Sequence, residues 1–219
     1  MATKNKKKKS PPKIERQDYI EVNPDEKWLH MPVEDDFYDE NYYRIIDFYV
    51  LHTPCKSSYT PRTLEKMGWI NPWHSSKFRD AFDNVPGFVE NQNFRMANSK
   101  KEFLTIWNSS SLDDFSTKEP TEFAVFTDSG EGNPRMNLLH HIRNAFAHGR
   151  FSVKKYQQEF YISLEDVTTL KGLAGIFVSA RICLKKSTLI TWLDTFENKN
   201  DISKTLSSVF SETKNNLKS

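Results

Sequence analysis

Apolar side chains recur at helical spacing in several segments of the first half of this 219-residue chain. Over residues 36–52, apolar positions that are mostly aromatic lie three or four residues apart, which predicts an amphipathic helix. Shorter helices are predicted where a hydroxyl or amide side chain precedes apolar positions, at Thr60, Ser75 and Asn98. The first of these is expected to end at Gly68. The pattern favours a helical N-terminal half.

The most regular helical pattern follows an acidic segment, residues 111–131, which contains one short predicted strand at 122–127. An asparagine, which is a typical N-cap residue, stands before Pro134, and proline is typical of the first position of a helix. The apolar periodicity continues to about residue 148, and Gly149 stands where helices commonly end. We therefore expect a helix of about four turns here.

Alternation of apolar and polar positions over residues 151–156 and 159–164, with two glutamines between them, predicts a small β-hairpin. A long helix is predicted over residues 176–196 and a weaker, more polar one over 201–210. These elements together predict a mainly α fold with one small hairpin.

Three regions follow from this pattern. Residues 1–16 are expected to form a disordered basic tail, because a lysine block with a Pro-Pro break cannot contribute to a core. Residues 17–130 are expected to form an N-terminal helical region packed on the rest. Residues 131–219 hold the regular helix, the hairpin and the C-terminal helices.

The charge of the chain is unevenly distributed. The formal net charge is +2, but residues 1–13 contain six lysines and no acid, so residues 14–219 carry 25 basic and 29 acidic side chains. Residues 134–158 are locally basic, with five Arg and Lys side chains, three histidines and no acid. Any affinity for nucleic acid is expected at this acid-free segment, and the lysine tail is a second, weaker candidate.

Two cysteines, Cys55 and Cys183, lie far apart and form no CxxC pair, so both are expected to be thiols in a reducing cytoplasm. No apolar segment approaches the roughly 18–20 residues of a membrane span, and no apolar stretch follows the first lysines as in a secretory signal. A cytoplasmic protein without a membrane partner is expected.

On a helical wheel the helix from Pro134 has one continuous apolar face, and its polar side chains share the other. Arg143 and His148 lie at two edges of the polar face, about 7.5 Å apart along the axis, with Asn144 between them. An imidazole can take the proton of a ribose 2′-hydroxyl, and a guanidinium can hold the charge that develops on a phosphate. The same three residues are also compatible with an ordinary solvated helix face.

No metal or cofactor is expected from the sequence. His140 and His141 have no cysteine or carboxylate at metal-ligand spacing beside them, and we interpret them as solvated or interface residues. The chain has no glycine-rich phosphate loop, no GxSxG and no HExxH motif.

The segment Arg143-Asn144-Ala145-Phe146-Ala147-His148, followed by Gly-Arg-Phe and the hairpin, resembles the RNxxxH signature of HEPN proteins (higher eukaryotes and prokaryotes nucleotide-binding). The resemblance covers roughly residues 134–196. It implies a HEPN-like helical bundle that forms a homodimer through the motif helix. For active members it implies a metal-independent endoribonuclease that leaves a 2′,3′-cyclic phosphate.

By this resemblance Arg143, Asn144 and His148 are catalytic, and RNA is the partner. Arg150, Lys154 and Lys155 are expected to bind RNA. The expected roles are prokaryotic RNA restriction, stress response or phage defence. A regulatory protein is a further candidate partner.

Two other interpretations stay open from sequence. The chain can be a non-catalytic HEPN-fold module that binds RNA, a nucleotide or a protein through its unmatched N-terminal half. Short helices within residues 60–95 can also be interpreted as a DNA-binding helix-turn-helix, although core packing accounts for the same aromatic side chains.

Overall fold

A five-stranded mixed sheet lies at the centre of the part of the protein that the structure describes. The structure is a computed structural model, and it describes residues 20–22, 35–56, 58, 60–109, 119–169 and 174–197. The helices are α1 (Glu40–Ile46), α2 (Ser76–Asn84), α3 (Lys100–Ser109), α4 (Pro134–Ala147) and α5 (Lys186–Glu197). The strands are β1 (Phe94–Ala97), β2 (Phe123–Thr127), β3 (Phe151–Tyr156), β4 (Glu159–Thr169) and β5 (Ile176–Lys185).

The strands are arranged in the order β1-β2-β5-β4-β3. Strands β1 and β2 are parallel and are connected through α3, whereas the other neighbouring pairs are antiparallel. Short 3-10 helices at Asp35–Phe37 and Pro72–His74 and a π-helical turn at Asp47–His52 complete the described elements. Residues 20–22 pair with the start of β5.

This architecture contradicts the prediction of a mainly α, HEPN-like helical bundle with a small hairpin. The hairpin exists as β3 and β4, but it forms one edge of a sheet that continues through β5 and β2 to β1. The helices are short. Helices α3, α4 and α5 pack against the sheet, and α1 and α2 pack on α5, so the helices do not form a bundle of their own.

The largest local error lies in the predicted helix over residues 176–196. Residues 176–185 form β5, and helical structure begins only at Lys186. β5 pairs with β2 on one side and β4 on the other, and most of its side chains are buried on both faces. A strand buried on both faces has a continuous apolar sequence without alternation, so its pattern resembles that of a buried helix.

Several other local predictions are confirmed. Helices occur after Ser75 and Asn98, the strand at 122–127 corresponds to β2, and the segment 36–52 is helical with a π-helical end. The segment from Thr60 to Gly68 forms hydrogen-bonded turns instead of a helix. The predicted basic tail and the weak helix over 201–210 lie outside the described residues.

Alternating side chains of the central strands supply two cores. In β2, Ala124 and Phe126 face a large cluster that includes the apolar faces of α4 and α5, whereas Phe123 and Val125 face a smaller cluster that includes α3. Helices therefore cover both faces of the sheet, as expected where both faces of the central strands are apolar.

Trp192 of α5 is fully buried in the larger core. Its ring stacks on Phe82 of α2 with centroids 4.2 Å apart, and its Nε1 donates to the Phe82 carbonyl at 2.9 Å. The W192F substitution leaves that carbonyl without this donor and should lower the free energy of unfolding by about 1–3 kcal/mol. Urea unfolding tests this, and substitution of exposed Thr191 by alanine serves as the neighbouring control. Equal midpoints for W192F and wild type would contradict the expectation.

None of the described helices is both long enough and apolar enough to span a lipid bilayer.

Candidate active site

Helix α4 forms as predicted because its ends are specified locally. The Asn133 side chain accepts the Met136 N–H at 2.9 Å, and Pro134 occupies the first turn. At the other end the His148 N–H donates to the Asn144 carbonyl, and Gly149 follows with a φ of 64°, which glycine adopts at little cost.

The predicted apolar face of α4 packs into the larger core. Its members are all at most 5% exposed: Leu138, Leu139, Ile142, Ala145 and Phe146. Two residues of the predicted polar face, Asn137 and His141, are also buried, at 1% and 2% exposure. The polar face of α4 is therefore largely covered by the loop after β2 and by β4, and mainly its C-terminal end is open to solvent.

The structure brings Arg143 and Asn144 into direct contact. The half-buried Arg143 guanidinium donates through Nη1 to the Asn144 Oδ1 at 2.9 Å. Arg143 Nε is buried and has no hydrogen-bond partner among the described residues. His148 lies five residues after Arg143, and it is exposed at the end of the helix. The motif thus presents a held cation and an accessible imidazole at the same end of α4.

Asn144 is itself held on its other side. Its Nδ2 lies 2.9 Å from Nε2 of His140 and donates to Asp166 Oδ2 of β4 at 3.3 Å. Since the amide donates to His140, that Nε2 accepts, and the His140 proton belongs on Nδ1. Nδ1 lies 3.1 Å from Oε1 of Glu131 and donates to it. Burial lowers the pKa of His140, which agrees with a neutral ring in this position.

His141 lies beside this network and fixes Asp166. The His141 Nδ1 is 2.7 Å from Asp166 Oδ2, and its Nε2 donates to the Thr127 carbonyl at 2.8 Å. His141 and Asp166 are nearly inaccessible, at most 5% exposed as side chains. Asn144 therefore sits between the Arg143 guanidinium and a buried set of partners, and it transmits their position to Arg143.

The three residues expected to bind RNA are not gathered into one free basic surface. Arg150 turns towards the sheet and pairs with Glu165, and Lys155 pairs with Asp36 and lies 5.2 Å from the Phe160 ring centroid. Lys154 is half-buried on β3, opposite Tyr161 of β4. Their role in RNA binding stays a prediction.

Sequence reasoning missed the carboxylates that complete the site. Residues 134–158 contain no acid, but Glu131 lies just before α4 and Asp166 comes from β4. Asp166 stands next to Glu165 in β4, and two neighbouring acids in one strand are buried only when they are paired, which was the one usable signal. It sits at the β4 register shift between Asp166 and Val167. Glu131 carried no such signal, because its loop is acidic throughout.

The chain matches no family model, no curated protein and no solved structure in the comparisons. The likeness to the RNxxxH signature therefore rests on the motif, its helix and the hairpin that follows.

Proposed function

We propose that this protein is an endoribonuclease that cleaves RNA through attack of a ribose 2′-hydroxyl on the adjacent phosphorus. One observation supports the proposal most: the guanidinium of Arg143 is held by Asn144 one turn before the exposed imidazole of His148. A fixed cation and an accessible base at one helix end are the two groups that this reaction needs.

In the proposed reaction, His148 takes the 2′-hydroxyl proton while the 2′ oxygen forms a bond to phosphorus. The bond from phosphorus to the 5′ oxygen breaks, and that oxygen takes up a proton, so the products are a 2′,3′-cyclic phosphate and a 5′-hydroxyl. Arg143 stabilises the negative charge on the non-bridging oxygens. Its planar guanidinium can donate to two phosphate oxygens at once and stays protonated. Asn144 positions Arg143.

Proton balance favours a second copy of the chain. One imidazole that has just accepted a proton is on the attacking side, so the leaving 5′ oxygen needs a second donor, which His148 of another copy can supply. Most of α4 is covered, and the exposed segment is 147–149 at its C-terminal end. We therefore place the contact of a homodimer at this end of α4 and not along its length.

The decisive experiment incubates full-length protein with mixed RNA in the presence of EDTA. We expect cleavage. A phosphatase should remove the phosphate from the new 3′ ends only after the cyclic phosphate has been hydrolysed to a monoester. RNA with every 2′-hydroxyl methylated should stay intact, because the nucleophile is blocked. A doubly substituted protein, R143A/H148A, purified in parallel, reports any contaminating nuclease.

Other outcomes are equally informative. Cleavage of the methylated RNA, or products ending in a 3′-hydroxyl, would rule out the proposed attack. RNA binding without cleavage would instead make the protein a non-catalytic RNA-binding module.

A further inference from the structure

Three metal-ligating side chains meet beside the described site although they are distant in sequence. Cys55 lies in the turn after the first helical segment, Glu131 in the loop before α4, and His140 on α4 itself. One ligand atom from each lies within 4.8 Å of the other two. We propose that these residues bind one Zn²⁺ ion, an inference independent of the proposed ribonuclease function.

The second observation is a buried carboxylate oxygen without a partner. The Glu131 side chain is only 3% exposed, and its Oε2 has no hydrogen-bond partner among the described residues. Its Oε1 accepts from the Lys56 backbone N–H and from His140, whereas the Lys56 ammonium donates to the Gly130 carbonyl. A buried carboxylate that lacks a partner for one oxygen is costly, and a cation beside that oxygen removes the cost.

The ligand types favour zinc over the hard cations. A thiolate and an imidazole suit Zn²⁺, whereas Mg²⁺ and Ca²⁺ prefer sites made only of oxygen atoms. In a tetrahedral zinc site the ligand atoms lie about 3.3–3.6 Å apart. His140 Nδ1 already lies 3.1 Å from Oε1 of the Glu131 carboxylate, and the three ligand atoms lie within 4.8 Å of one another, so the ligands have to draw together around the ion. Three protein ligands leave a fourth position for water.

Metal binding changes the hydrogen bonds of the neighbouring site. The Cys55 thiol loses its proton to solvent, and the His140 proton moves from Nδ1 to Nε2, so one proton is released per ion. His140 Nε2 then becomes a donor, and the Asn144 amide has to turn its oxygen towards it. The Arg143 guanidinium loses its acceptor on Asn144. Zinc occupancy is therefore coupled to the position of Arg143.

Cobalt(II) titration of full-length, metal-free protein tests the site. Co²⁺ bound to a thiolate has a near-ultraviolet charge-transfer band, and we expect this band to saturate at one ion per chain and to disappear on addition of zinc. The C55S variant should lack the band. E131Q should weaken Co²⁺ binding at least about tenfold.

Two control variants make the test specific to the proposed ligands. The C183S variant should keep the band, because Cys183 lies in the smaller core on the other side of the sheet. H148A should also keep it, so the test does not depend on nuclease activity. Circular dichroism of C55S and E131Q checks that each variant folds. A wild-type protein without the band, or a folded C55S variant that retains it, would overturn the proposal.

Discussion

Replacing either Arg143 or His148 by alanine is expected to lower the rate of RNA cleavage by about 10²- to 10⁴-fold. Loss of His148 removes the base that takes the 2′-hydroxyl proton, and loss of Arg143 removes the charge that stabilises the transition state. Single-turnover rates at saturating protein measure the effect on the chemical step. R143K should be intermediate, because lysine keeps the charge but lacks the fork that matches phosphate.

Matched variants keep this prediction specific. H148A removes an exposed side chain, so the free energy of unfolding should change by no more than about 0.5 kcal/mol. The H74A variant removes another exposed histidine, on the short 3-10 helix Pro72–His74, and should cleave like wild type. If H148A and wild type cleave at the same rate while both are folded, His148 is not the base.

Sequence patterns predict the elements that have local signals. The cap before Pro134 and the glycine at 149 set the ends of α4, and the alternation on both sides of the Gln-Gln turn sets the hairpin. Gln157 in that turn has a positive φ of 56°. These features depend on neighbouring residues, so one sequence is sufficient to show them.

The sheet is not predictable in the same way because its signals are not local. Strand β5 is buried on both faces, so it has no alternation to distinguish it from a helix, and β1 is only four residues long. The parallel pairing of β1 with β2 joins segments about thirty residues apart. Without these strands the remaining pattern resembles a set of helices with one hairpin.

Charge is equally misleading when taken from the sequence alone. The basic segment 134–158 is acid-free along the chain, but in the fold Arg135 pairs with Asp83, Arg150 with Glu165 and Lys155 with Asp36. Glu131, in the loop before α4, likewise pairs with His140. The acidic partners therefore come from four other elements or loops. The Arg143 and His148 pair was identifiable because both residues lie on one helix, whereas Cys55, Glu131 and Asp166 needed the tertiary structure.

Replacing Glu165 by alanine is expected to destabilise the protein by about 3–5 kcal/mol. Glu165 is 2% exposed and accepts from Arg181 Nε at 3.0 Å and from Arg150. Arg181 is also buried, and its guanidinium lies 4.7 Å from the Trp107 ring centroid. Removing the carboxylate leaves a buried guanidinium without its charged partner, which costs more than the loss of one hydrogen bond. Urea unfolding with a shared slope measures the change.

A double-mutant cycle shows whether the buried charge is the cause. In E165A/R181M both members of the buried pair are gone, Arg150 is 24% exposed and can turn to water, and the methionine still packs against Trp107. The double variant should therefore be more stable than the sum of the two single changes by about 1–3 kcal/mol. Additive effects would contradict a coupled pair.

E165A would also free Arg150 from its carboxylate, so tighter RNA binding by this variant is the result expected if Arg150 contacts RNA.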